Sequence, residues 1–160
     1  MKGLGKYTIP IIGVISSGKS TFINGIFLNK TILEVGMSHT TKFICIIRHE
    51  YMLADGKYRF TKVKLDSNSL IKDGDTIEDE VAIKNKIIEL NSKELVSEDI
   101  LNDIYLLGLN IHLIDDEKAN YELLKDIDFM DIPGLYYFEA KKYNKNEIEI
   151  KKNFKYFQKF

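Results

Sequence analysis

Cysteine, proline and arginine are all scarce in this chain of 160 residues, which has one Cys, two Pro and, against 21 lysines, only Arg48 and Arg59. A single cysteine excludes a disulfide framework. Because Cys45 falls inside the apolar stretch Phe43 to Arg48, a buried, inert thiol is expected. The histidines His39, His49 and His112 are scattered, and no Cys-x-x-Cys or His-x-x-x-His spacing occurs, so nothing points to structural zinc. His49 and His112 read as strand-end residues. There is no run of about eighteen apolar residues and no signal-peptide pattern, so neither membrane spanning nor secretion is expected and the location read is cytoplasmic. A net charge of −1 leaves no electrostatic case for nucleic acid. Internal repeats and Gly/Ser-rich linkers are missing too, and the excess of lysine and isoleucine reads as coding bias. What remains is 44% apolar, too apolar for disorder and long enough to bury a core as one domain or part of one.

The most informative segment is Gly13-Val14-Ile15-Ser16-Ser17-Gly18-Lys19-Ser20, a full G-x-x-x-x-G-K-[ST] phosphate loop. Its glycines let backbone amides approach phosphate oxygens and point inward, a cradle that bulky residues at Gly13 or Gly18 would close. Lys19 is placed to reach the β- and γ-phosphates, Ser20 to give its hydroxyl to Mg²⁺, and Thr21 to touch the α-phosphate. The motif has meaning only between a strand and a helix. Tyr7 to Ile12 is apolar and β-branched, as a buried parallel strand should be. Phe22, Ile23, Ile26 and Phe27 then recur at helical spacing. Pro10 removes a ladder donor and Gly25 weakens the helix by about 1 kcal/mol. The alternative is a chance match in a Gly/Ser turn.

Asp131-Ile132-Pro133-Gly134 follows a segment whose end, through Met130, reads as a strand finishing in a carboxylate. Such a carboxylate can hold Mg²⁺ through water, and the Gly134 amide can bond a γ-phosphate. Alone, the same residues are also an ordinary Pro-Gly turn. Leu33 to Thr41 is a polar, glycine-containing stretch leading into the strand Phe43 to Arg48. A threonine there can ligate Mg²⁺ and sense the γ-phosphate; a solvated connection is the other reading.

The interval between these elements reads as follows. Tyr58 to Leu65 is a strand introduced by the Asp55-Gly56 turn signal. Ile77 to Leu90 is an amphipathic helix with Ile77, Val81, the Lys84 stem, Ile87 and Ile88 on its face. Ser97 to Ile100 caps another helix reaching about Leu107, and Leu109 to Ile114 alternates like a strand. Tyr121 to Lys125 is unassigned.

Together these segments resemble the GTP-binding domain of the dynamin superfamily. The resemblance is carried by Ser16 and Ser17, the continuation Gly18 to Asn24, the Asp131 to Gly134 element and the long interval from Thr41 to Asp131. The Gly36 to Thr41 stretch, with His39, looks most like the mitofusin and bacterial branches. The resemblance implies an α/β P-loop NTPase three-layer fold with a mainly parallel sheet, incomplete at its C-terminal end. It divides the chain into a phosphate loop (13–20), a first switch (33–41), an insertion (42–126) and a second switch (131–134). It implies GTP as substrate and Mg²⁺ as cofactor. Nucleotide would be held by Gly13, Ser16, Ser17, Gly18, Lys19, Ser20, Thr21, Asp131 and Gly134, and metal by Ser20, Thr41 and Asp131. Catalysis would rest on Ser16, Lys19 and Thr41, with Ser16 near the bridging phosphate oxygens and a monovalent cation, and Thr41 placing the water. Homodimerisation across the nucleotide face, membrane remodelling and peripheral membrane association through regions outside this chain belong to the same implication.

The chain departs from that pattern in three places. Ile15 stands where many dynamins have glutamine, which bears on catalytic rate and not on nucleotide binding, since its side chain cannot hydrogen-bond. Glu34 replaces a proline usual in the first switch. No [NT]-K-x-D element follows Gly134, so guanine specificity comes from the resemblance alone. Asn146 to Phe160 looks like the helix after the second switch. The lysine-rich, aromatic tail from Lys141 reads either as a solvated helix whose aromatics pack on further strands or as an anionic-membrane contact. Two other functions stay open at this stage: a truncated or degenerate module that binds nucleotide without turnover, and a P-loop kinase, against which the long interval and the Asp131 element argue.

Overall fold

The computed structural model describes residues 6–14, 16–36, 41–66, 69–92 and 103–134. Ile15, His39, the capped helix expected from Ser97, and the tail from Lys141 with its helix lie outside the described residues. The elements are β1 (Tyr7–Ile11), α1 (Lys19–Ile23), a π-helical turn (Asn24–Leu28), β2 (Ile44–His49), β3 (Tyr58–Asp66), β4 (Ser69–Ile77), α2 (Glu80–Ser92), β5 (Ile104–Leu109), α3 (Glu117–Leu124) and β6 (Ile127–Asp131). The strands form one sheet in the order β1-β6-β2-β5-β3-β4.

The sheet is mixed, which corrects the expectation of a mainly parallel one. β1 runs parallel to β6, and β2 to β5. The β2–β6, β3–β4 and β3–β5 pairings are antiparallel, because the long interval contributes a hairpin, β3–β4, instead of successive crossover units. Along β2 the side chains alternate as a strand buried on both faces requires. Phe43, Cys45 and Ile47 join the larger apolar cluster, which takes in Ile23 and Phe27 from the first helical segment, Ile83, Ile87 and Leu90 from α2, and Leu124 from α3. Ile44 and Ile46 join a smaller cluster on the other face with Val63, Ile104, Met130 and Ile132. Every described helix thus packs on one face, so the described residues make two layers where three were expected.

β1 pairs on one side only among the described residues, and Tyr7 and Ile9 are 74% and 45% exposed. It is therefore an edge strand, not a buried one, and this is where Pro10, facing Met130 in register, can sit without costing a ladder bond. The helix after the phosphate loop is α-helical for five residues and then widens into the π-turn. Ile23 and Phe27 are buried there while Phe22 and Ile26 are exposed.

Two expectations in the interval are overturned: Ile104 to Leu107 belongs to β5 and not to a helix, and the strand ends at Leu109 instead of beginning there. Ser69–Ile77 is a strand that no sequence signal suggested. The expected helix is there as α2, with Ile87 buried as expected, but it begins at Glu80 and buries Ile83 and Leu90, whereas Val81 and Ile88 are exposed. The unassigned segment is α3, started by Asp116, whose carboxylate accepts from the Lys118 and Ala119 amides, a side-chain N-cap.

Candidate functional site

Register brings three distant segments to one end of the sheet. Ile11, the last residue of β1, faces Asp131, the last of β6, in a parallel pair. Cys45, near the start of antiparallel β2, faces Asp131 from the other side. The phosphate loop leaving β1, the segment entering β2 and the Asp131 carboxylate must therefore meet.

The loop itself follows from its residue types. Gly18, the residue before α1, lies at φ +82, where an L side chain is strained. A Cβ on Gly13 would come within 2.6 Å of Ser17 Oγ, so no larger residue fits without moving that hydroxyl. Ser16 also has positive φ, 58°, a conformation that costs a non-glycine residue about 1 kcal/mol or more. The Ser17 amide closes a turn onto the Val14 carbonyl, and the Phe22 amide onto the Gly18 carbonyl opens the helix. The Lys19 ammonium folds across the loop, donating to the Gly13 and Val14 carbonyls at 3.2 and 3.0 Å. A phosphate would offer it anionic acceptors in place of neutral ones, a stronger class of bond.

Beside the loop, Ser20 Oγ donates to Asp131 Oδ2 at 3.2 Å and lies 3.2 Å from Thr41 Oγ1. Asp131 is 1% exposed, and its Oδ1 has no hydrogen-bond partner among the described residues. Burial pushes its pKa up to about 6, against the opposing influence of the Ser20 hydroxyl, the Lys19 charge and the Thr41 hydroxyl. A buried carboxylate oxygen without a partner, flanked by two hydroxyls, is a donor set suited to a hard divalent cation, which takes oxygen ligands and keeps several waters. These residues fit Mg²⁺. Thr21 is exposed one residue on, and Gly134 is buried three residues past Asp131.

The matching sequence model is that of the dynamin family, aligned over residues 9–153. The chain belongs to the dynamin family. This is a family of GTP-binding GTPase domains, and the mixed α/β sheet with its phosphate loop is compatible with that fold. No curated protein matches the chain.

One residue of the site carried no role in the sequence reading. Asn24, 6% exposed, donates through Nδ2 to the Leu33 carbonyl at 2.8 Å. Its Oδ1 accepts from the Ile32 and Leu33 amides at 3.1 and 2.9 Å. It thus fastens the start of the first switch to the helical segment that follows the phosphate loop. Its sequence signals were its place at the end of the Gly18 to Asn24 continuation and its polarity beside the apolar Ile23.

Elsewhere, Cys45 is fully buried and burial pushes its thiol pKa well up, which leaves it inert. His49 closes β2 and accepts from the Ile111 amide at 3.0 Å. His112 lies past β5, 2.8 Å from Asp55. A cavity of about 630 Å³ opens between the π-turn, Gly56 and Asn110. It sits at the Leu109 end of the sheet, away from the phosphate loop, and has no part in the site above.

Proposed function

We propose that this dynamin-family chain binds Mg²⁺-GTP and hydrolyses it to GDP and phosphate. The observation that carries the reading is the convergence of Ser20 Oγ, Thr41 Oγ1 and the Asp131 carboxylate beside Lys19, from segments 21 and 111 residues apart. In this reading Gly13, Ser16, Ser17, Gly18, Thr21 and Gly134 line the phosphates, while Ser20, Thr41 and Asp131 hold the metal. Bound Mg²⁺ supplies charge neutralisation at the β- and γ-phosphate oxygens. Lys19 does the same from the loop side. The Thr41 carbonyl orients a water for in-line attack, which forms the new P–O bond as the bond to the bridging oxygen breaks and GDP leaves. Ser16 sits by that bridging oxygen, where charge accumulates.

The further parts of the proposal are a homodimer across the nucleotide face, peripheral membrane association and service in membrane remodelling, which rest on family membership, a first switch of the mitofusin and bacterial type, which rests on the residues Gly36 to Thr41, and a cytoplasmic location, which rests on the sequence pattern. A second reading, binding without turnover, is favoured by one residue. Ile15 puts an alkyl side chain where many dynamins have glutamine, and an alkyl group cannot orient a water.

Titration with fluorescent GTP and ATP analogues, with and without Mg²⁺, tests the reading. Loss of the Lys19 ammonium removes charge-assisted bonds and is expected to weaken GTP binding by about 10- to 100-fold in Lys19→Ala. Phosphate release by the wild type then separates hydrolysis from binding alone. A folded wild-type protein that binds neither nucleotide, or a Lys19→Ala variant that binds as well as wild type, would sink the proposal.

A further inference from the structure

α2 lies in the interval between the two switch segments, and its penultimate residue is Asn91. The Asn91 side chain spans the first switch. Its Nδ2 donates to Glu34 Oε2 at 2.8 Å, and its Oδ1 accepts from the Lys42 backbone amide at 3.1 Å. Glu34 is the second residue of the switch and Lys42 follows its last residue, Thr41, so one rigid amide plane ties the two ends of the segment that carries the threonine. The tie is made from a fixed point. Leu90, the preceding residue, is 2% exposed, and Ile83 and Ile87 bury the same helix in the core.

Only certain side chains can make this clip. Position 91 must offer a donor to a carboxylate and an acceptor to a backbone amide about one amide width apart, which asparagine does and lysine, alanine and serine do not. Position 34 must offer an acceptor. A proline there, the usual residue in the resembling family, has no side-chain acceptor, so Glu34 and Asn91 make sense as a pair belonging to this chain.

We propose that Asn91 is a positioning residue that clips the two ends of the first switch, holding Thr41 where its hydroxyl meets Ser20, and so strengthens the preference for nucleoside triphosphate over diphosphate. The inference rests on the Mg²⁺-GTP reading of the site. The phosphate loop from Gly13 to Ser20 holds the α- and β-phosphates without help from the clip. Its loss therefore penalises only the ligand that the switch contacts, the triphosphate.

The test is an exchange of donor and acceptor. Asn91→Asp keeps the acceptor for Lys42 but sets a carboxylate against Glu34. It is expected to reduce the ratio of GTP to GDP affinity by about tenfold, the loss of one charge-assisted bond plus repulsion, with GDP affinity unchanged. Glu34→Gln alone keeps an acceptor oxygen and is expected to cost about twofold. In the double variant, Asn91→Asp with Glu34→Gln, the direction of the bond is reversed. The carboxylate now at position 91 accepts both from the side-chain amide at position 34 and from the Lys42 backbone amide, so the ratio should return to within about twofold of wild type. A merely structural role would lower the unfolding midpoint without this pattern of rescue. Hydrogen exchange of peptides covering 41–45, measured without nucleotide, reads the clip independently: faster exchange in Asn91→Ala, which removes both bonds and frees the Lys42 amide, and near-wild-type exchange in the double variant. Equal exchange in wild type and Asn91→Ala overturns the clip. Faster exchange in Asn91→Ala with an unchanged GTP to GDP ratio in Asn91→Ala and Asn91→Asp overturns its role in triphosphate preference. A wild type that binds no nucleotide overturns the functional reading of the site, while the exchange pattern still decides whether the clip exists.

Discussion

Asp131 should destabilise the fold that it serves, and replacing it with asparagine should show this. Its carboxyl loses a proton near pH 3.8 when unfolded and near pH 6 in the folded protein, because burial disfavours the anion. Between those values the unfolded chain holds fewer protons, so stability falls as pH rises, and the penalty is complete above about pH 6. A rise of about two in pKa corresponds to about 3 kcal/mol. Asparagine cannot ionise, and its hydrogen-bonding differences from aspartic acid do not vary with pH. The quantity to measure is therefore the difference in unfolding free energy between Asp131→Asn and wild type, by urea titration with EDTA present. Integrating the two titrations, the difference should move in favour of the variant by about 2 kcal/mol between pH 4.5 and 7.5, or about 1 M in urea midpoint. With Mg²⁺-GTP the order should reverse, since ligand binding stabilises only the form that binds it. A difference that stays flat across this range, or moves the other way, would refute the account of Asp131 as a buried anion that Ser20, Lys19 and Thr41 compensate only in part.

Other substitutions separate packing from chemistry. Arg48 holds Asp128, which is 0% exposed, through contacts at 3.0 and 2.6 Å. Arg48→Ala leaves that carboxylate buried and unpaired and should destabilise by about 3 kcal/mol, the low end for such sites because Lys6 is also nearby. Urea titration checks the value, and adding Asp128→Asn should recover much of the loss. Asn24→Ala removes three hydrogen bonds and strands the Leu33 carbonyl and amide in the core, while the Ile32 amide keeps the Lys30 carbonyl as acceptor. It is expected to cost about 3 kcal/mol and to weaken GTP more than GDP, measured by the same titrations. An unchanged midpoint in either variant would remove the corresponding claim.

The segments readable from sequence were those whose local pattern and tertiary role agree. The phosphate loop, β2, β3 and β6 combine apolar or β-branched runs with turn residues, and they appear where expected. β4 was invisible because Ser69–Ile77 is mostly exposed and carries Asp73, Gly74 and Asp75. Pairing with β3, not burial, makes it a strand, and pairing leaves no trace in a polar sequence. β5 failed for the opposite reason. Ile-Tyr-Leu-Leu-Gly-Leu is apolar throughout, and such a run does not distinguish a short strand from a buried helix. In α2 the apolar residues surround the helix, so periodicity chose a face about one position away from the one that packs. The roles of Asn24 and Asn91 depend on partners across folded distance, for which no spacing rule exists.

The Arg48–Asp128 pair also bears on the site. β6 holds a parallel neighbour on one side and an antiparallel one on the other, and the site exists because both registers end on Asp131. A two-residue slip between β2 and β6 would keep every side chain on its own face, so burial alone does not forbid it. It would, however, carry the segment entering β2, and Thr41 with it, several ångströms from Ser20, since each strand residue spans about 3.3 Å. The ion pair resists that slip. Arg48 and Asp128 face one another in register, and any slip would leave a fully buried carboxylate without its guanidinium, at a cost of several kcal/mol. A charge pair at one end of β6 thus fixes the position of a carboxylate at the other, and the buried polar groups of this sheet are partners in one alignment.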